Sequence, residues 1–225
     1  MKERGMILQA WEVRALLDGS KTQKRAPIKI QPPDAGYQLA ACVSTTGNKR
    51  DKGRHHWVKL DGHRVVDASQ PYFSKPYGEI GDRIWVRESF QPLFAVSVDR
   101  NGNGHIDYKT GKGYTVSYPA TDDVAEFYSP FLEEIVDHVT PSVRMPRWAS
   151  RITLEITNVR VERLHDISEA DAMAEGVRRF DEGFHTEHGQ HYSHDPRETF
   201  ASRWGSTSFD KNEWMWVYEF NKVSE

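Results

Sequence analysis

The stretch Trp214-Met215-Trp216-Val217-Tyr218-Glu219-Phe220 limits what this chain can become more than any other part of it. In an extended chain successive side chains alternate, so Trp214, Trp216, Tyr218 and Phe220 share one side. Large aromatics on one face are too costly to leave in water, which makes this face the filling of a core. A fold built around such a strand needs sheet partners. The longest alternating run, Ile152-Thr153-Leu154-Glu155-Ile156 continued by Val159-Arg160-Val161, supplies one, as a half-buried strand pair or one long bent strand. Arg83-Ile84-Trp85-Val86-Arg87-Glu88-Ser89-Phe90 supplies another, with Ile84, Val86 and Glu88 on one side and Trp85, Arg87 and Ser89 on the other.

Helical segments are short and capped. In Ala10 to Asp18 the apolar Val13, Leu16 and Leu17 fall on one face, and Gly19 stands where a left-handed C-cap sits. Ser168 with Asp171 resembles a capping box, and Gly176 ends that helix, leaving Glu175 at a helix end where the macrodipole disfavours an anion. Asp195-Pro196-Arg197-Glu198 opens a third helix, read as running to Trp204-Gly205. Thr121 to His138 reads as an acidic helix capped by Thr121 or Asp122. Arg25 to Ile30 reads as a short strand before Pro32-Pro33, and Trp57 to Val66 as a hairpin decorating the core, with Asp61-Gly62 as its type I′ turn.

Composition narrows the function classes. The 225 residues are 37% apolar, with seven Trp and ten Phe, enough for one domain with a substantial core. Net charge is −3, so no global basic field points to nucleic acid. Locally, residues 1–30 carry seven Lys/Arg against three Asp/Glu, and residues 144–163 carry five Arg against two Glu. Cys42 stands alone, excluding an internal disulfide and a cysteine-based zinc site and fitting a cytoplasmic protein. No secretory signal and no membrane-spanning stretch is found, and no cofactor or metal is expected. Asp99 to Gly104 resembles part of a calcium loop, but Thr110 stands where a closing Glu belongs. His185, His188, His191 and His194 recur every three residues, yet Gly183 and Gly189 interrupt them, so they read as a surface insertion rather than a metal site.

The stretch Gly19-Ser20-Lys21-Thr22-Gln23-Lys24-Arg25 brings three cations and two hydroxyls together at a helix exit. It resembles the Gly-x-Lys-Thr signature of the ASCH domain. Gly81 to Glu88 looks like the second block of that family, and Met145 to Arg151 and Ile167 to Gly176 look like the third and fourth in the version carried by phages and prophages. The closing Trp214-x-Trp216-Val217-x-Glu219-Phe220 is similar to its last strand. The resemblance implies an α+β, PUA-like small β-barrel with flanking short helices, in a single domain over 1–225 with insertions at about 31–76, 97–140 and 180–194. It also implies RNA or nucleoside ligands. Small bacterial members hydrolyse the acetyl amide of N4-acetylcytidine with a lysine, a threonine three residues on, and a glutamate. By motif the lysine is Lys21 and the glutamate Glu175, whereas the threonine's place holds Lys24.

The departure leaves two routes. In one, Lys21, desolvated beside Lys24, acts as base toward water or Thr22, and Glu175 shuttles the proton to the cytosine amine. In the other, Lys21, Lys24 and Arg25 grip phosphate while Trp85 or Trp148 stacks a base, with Arg87 and Arg147 as further nucleic-acid contacts. A competing class is a non-enzymatic module whose insertions bind a protein partner. Convergence of Lys21 and Glu175 beside an aromatic wall would favour catalysis, and pairing of Glu175 with a surface arginine would count against it.

Overall fold

The computed structural model describes residues 1–41, 53–94, 114–122, 127–129, 134–136, 139–181, 183–185, 192–204 and 209–223. In chain order the first elements are β1 (Glu3–Ile7), α1 (Ala10–Leu17), β2 (Gln23–Pro27), β3 (Tyr37–Ala41), β4 (His55–Asp61), β5 (Arg64–Asp67), β6 (Arg83–Arg87) and β7 (Gln91–Phe94). They are followed by β8 (Tyr114–Ser117), β9 (Phe127–Ser129), β10 (Glu134–Val136), β11 (Thr153–Arg163), α2 (Glu169–Ala174), β12 (Arg178–Phe180), β13 (Gly183–His185), β14 (Tyr192–Ser193), α3 (Pro196–Ala201) and β15 (Trp214–Lys222). The chain is α+β and dominated by strands.

Five strands make the central sheet, in the order β1-β6-β11-β15-β2. β1 and β6 are parallel, and the remaining neighbours are antiparallel. The alternating run at 152–161 is one long strand, β11, bent by a register shift between Ile156 and Asn158. β1 and β2 stand at the two edges, so among the described residues the sheets do not close into a barrel.

β15 lies inside the sheet, between β11 and β2, and is buried on both sides. Trp216, Tyr218 and Phe220 face the main core with Met6, Ile84, Leu154 and Ile156. Met215, on the opposite side, packs with Leu164, Ile167, Ala172, Val177 and Phe200. The expectation of a single aromatic face therefore covers half of the strand. The second core exists because α2 and α3 lie on the other side of it, something strand periodicity alone does not encode.

Two further expectations are corrected. Residues 121–138 hold no helix among the described residues; β9 pairs antiparallel with β10, Tyr128 opposite Ile135. Pro130 falls inside the expected helix, where it removes a donor and clashes with the preceding turn, and aromatic and β-branched residues flank it. Asp122 instead caps a turn, accepting from the Tyr118 amide at 2.9 Å. The β4–β5 hairpin forms with Leu60 opposite Val65 and Asp61 opposite Arg64, so Gly62-His63 is the loop. Only Gly62 has positive φ there (61°), the pattern of a II′ rather than a I′ turn. Nor is this hairpin an ornament: Trp57 is 1% exposed, lies in the main core and donates to the Ile30 carbonyl at 2.6 Å. The Asp99–Gly104 stretch, His188 and His191 lie outside the described residues.

Candidate active site

The site is assembled where the exit of α1 meets the end of α2. Gln9 caps α1, and Glu12 at the third helical position accepts back from the Gln9 amide at 3.0 Å. Gly19, at φ +83°, turns the chain out of the helix. Lys21 then donates its amide to the Ala15 carbonyl at 2.8 Å, and Thr22 donates to the Ala174 carbonyl at 2.9 Å. These bonds, with an isolated antiparallel bridge between Lys21 and Glu175, clip the start of β2 to the end of α2. Gly176 makes the approach possible. Its φ is +92°, and a Cβ there would lie 3.1 Å from the Ala15 Cβ and 3.5 Å from that of Lys21.

Lys21 Nζ donates to the Glu175 carbonyl at 2.8 Å and to Glu175 Oε2 at 3.0 Å, and Glu12 Oε1 lies 3.4 Å away. Lys24 donates to that same Glu12 oxygen. On the neighbouring face of β2, Arg25 Nη2 donates to Glu162 Oε2 at 2.7 Å and lies 3.5 Å from Asp171. Arg160 joins Glu162, Asp171 and Glu219, and its Nη2 donates to Gln23 Oε1 at 3.2 Å. The cluster thus pairs Lys21, Lys24, Arg25 and Arg160 with Glu12, Glu162, Asp171, Glu175 and Glu219.

Burial and the neighbouring charges shift these groups in opposing directions. Burial pulls the Lys21 ammonium below the ordinary lysine range, and the Lys24 charge adds to that, against the opposing pull of Glu175 and Glu12. For Lys24 burial acts in the same direction, but Glu12 and then Glu175 outweigh it and its pKa is raised. Burial pushes Glu12 up; Lys24 and Lys21 outweigh that and hold it below the usual carboxylate range. Glu175 Oε1, Arg25 Nε and Nη1, and Gln23 Nε2 are buried and make no hydrogen bond, although Glu175 Oε1 and Arg25 Nη1 are an ion pair at 3.6 Å. The centre therefore holds an amine of reduced basicity, a carboxylate oxygen beside it, and unused donors from Arg25 and Gln23. Trp11 forms the aromatic wall, its ring 5.7 Å from Lys21 Nζ and stacked by the Arg203 guanidinium at 3.9 Å.

Lys21 and Glu175 lie within hydrogen-bond reach of each other, and Lys24 and Arg25 lie beside them. The rest of the expected set lies elsewhere. Thr22 is exposed just before β2, between the buried Lys21 and Gln23. Trp85 and Arg87 are on β6, three strands from β2, with the Arg87 guanidinium 5.3 Å from the Trp85 ring and donating to the Val143 carbonyl. Arg147 pairs with Glu3 at 3.1 Å, and Trp148 is half-buried against Phe90, Met145 and Ala149. Arg25 is 1% exposed and tied to carboxylates, a position unsuited to gripping phosphate from the surface.

Sequence reasoning missed Glu12, Trp11, Gln23, Arg160, Glu162 and Asp171. Two signals were available. Glu12 stands at the third helical position after Gln9, on a helix whose next residue is core, and Arg160 and Glu162 share one face of β11 opposite Val159 and Val161. Among the described residues no group of three His, Cys, Asp or Glu is placed to hold a metal, and no helix is long and apolar enough to cross a membrane. Compared with known protein families, curated proteins and solved structures, the chain has no match in any of the three.

Proposed function

We propose that this chain binds an N-acylated nucleoside at the Lys21–Glu175 centre and hydrolyses its amide, with N4-acetylcytidine as the substrate to test. The observation that carries the reading is the enclosed contact of Lys21 Nζ with Glu175 Oε2 at 3.0 Å, the Lys21 side chain being 0% exposed. The resemblance to the ASCH domain, and through it to a PUA-like scaffold, supports the choice of substrate. Lowering its pKa makes a lysine a better general base, because more of it is neutral at a given pH.

Hydrolysis then runs without a side-chain nucleophile, since Lys24 replaces the family threonine and Thr22 is exposed while Lys21 is buried. Lys21, as the neutral amine, takes a proton from water while the water oxygen bonds to the acyl carbon. The oxyanion meets the unused N–H groups of Arg25 and Gln23. As the carbon–nitrogen bond breaks, the proton passes from Lys21 through Glu175 to the exocyclic nitrogen. Cytidine leaves as the amine, and acetic acid ionises to acetate. Entry of the nucleoside requires displacement of enclosing side chains, and the Trp11–Arg203 stack is the aromatic surface a base would replace or join.

A second reading keeps the ligand and drops the chemistry. It is favoured by Lys24, whose ammonium is clamped onto Glu12 where the family carries a hydroxyl. The test is cytidine release from N4-acetylcytidine by the wild type, Lys21→Met and Glu175→Gln. The hydrolase reading expects release by the wild type and a loss of at least about a hundredfold in both variants. Undiminished release by Lys21→Met would refute it, and nucleoside binding without any release would leave the binding reading.

A further inference from the structure

β12, β13 and β14 form a small antiparallel sheet just after the active-site glutamate. Its register sets Arg178 opposite His185, Phe180 opposite Gly183 and His185 opposite Tyr192. Cross-strand partners share a face, so Arg178, Phe180, His185 and Tyr192 lie on one side. The other side is anchored: Phe184 packs on the second core, and Thr199 Oγ1 donates to the Phe184 carbonyl at 3.2 Å. The free side is aromatic and open. Phe180 is 63% exposed and Tyr192 47%.

These rings are arranged rather than scattered. Phe180 and His185 meet edge to face at 5.5 Å, His185 and Tyr192 at 5.0 Å, and Tyr192 and His194 at 5.3 Å. Tyr192 lies directly on the backbone of Gly183, where a Cβ would come within 2.2 Å of the ring, so only glycine admits this pose. Phe180, Asp181, His185 and Tyr192 line an open depression of about 680 Å³. Edge-to-face contacts leave ring faces uncovered, which suits a planar ligand. On the ring-bearing side Arg178 is exposed and, paired with Asp18, ties this sheet to the end of α1, whereas Arg179 lies on the other side, opposite Phe184. Arg178 is three residues from Glu175, at most about 10 Å of extended chain.

We propose that the Phe180–His185–Tyr192 face is a stacking platform for unpaired bases of single-stranded RNA, beside the nucleoside centre at Lys21. The choice of RNA rests on the nucleoside reading above; the platform itself rests on the ring geometry. The platform then adds affinity for a nucleoside that lies within a strand over that for the free nucleoside.

The test uses unmodified, labelled single-stranded RNA of about a dozen nucleotides, followed by fluorescence anisotropy, so that no turnover is needed. Phe180→Ala and Tyr192→Ala each lower affinity on the order of tenfold, and the double variant lowers it further. Val65→Ala, at an exposed site on β5, leaves it unchanged, and the same sequence as a duplex binds more weakly. Thermal melts confirm that the variants fold, as expected for exposed side chains. Wild-type affinity in the double variant, equal binding of duplex, or no binding of single strand by the wild type would each overturn the platform. Ring-dependent RNA binding without cytidine release would sink the hydrolase reading alone. Cytidine release with ring-independent binding would sink the platform alone.

Discussion

Glu12 holds two ammonium groups on one oxygen, Lys24 at 2.5 Å and Lys21 at 3.4 Å, in a position 2% exposed. Removing that charge leaves Lys24 without its carboxylate partner and Lys21 with Glu175 alone, so Glu12→Gln is predicted to cost about 3–5 kcal/mol in urea unfolding. Adding Lys24→Met removes the cation left without that partner and returns part of the loss. The sign of the pH dependence follows from the lowered pKa. Glu12's contribution is complete above its ordinary value of 4.5 and disappears as pH falls through the depressed folded value. Stability measured down that limb should therefore fall more gently in Glu12→Gln than in the wild type. Lys21 works in the opposite range. Between its lowered folded pKa and the ordinary 10.5 the unfolded chain binds the extra proton, so this group's contribution rises with pH. Titration of the Lys21 side chain by NMR should give a midpoint below 10.5. A midpoint at or above that value would remove the general base from the mechanism.

At the scale of elements, β15 and the end of α2 carry the arrangement. Met215 is 0% exposed between β15 and the helices, and Met215→Ala should cost about 2–5 kcal/mol, whereas the aromatic side of the strand is left intact. Gly176→Ala combines a φ of +92° with a Cβ 3.1 Å from Ala15. It is predicted to cost about 1–2 kcal/mol in thermal unfolding and to weaken the Lys21–Glu175 contact, read as a drop in cytidine release. The aromatic alternation of β15, the β6 pattern and the caps of α1, α2 and α3 were legible because each is a local rule. The burial of Met215 was not, since it depends on α2 and α3 folding back over the strand. The 121–138 helix failed because acidic composition and a capping residue were weighed above Pro130.

Across the whole molecule the centre joins residues 154 apart in sequence, Lys21 and Glu175. No spacing rule brings them together; the motif resemblance did, and it was silent on Glu12, whose role appears only once α1 packs beside β2. The basic stretches of the sequence proved equally context-dependent. Arg147, Arg151 and Arg160 pair with Glu3, Glu88 and a carboxylate cluster, so these cations are matched by carboxylates of the protein itself. The β12–β14 sheet, next to the same glutamate, carries exposed aromatics with Arg178 beside them. The central claim, that water attacks the acyl carbon under Lys21 and Glu175, is tested most directly by incubating the wild type with N4-acetylcytidine in ¹⁸O-labelled water. The account predicts cytidine free of label and acetate carrying it. Uridine with acetamide, the products of attack on the ring carbon, or no conversion at all would contradict it.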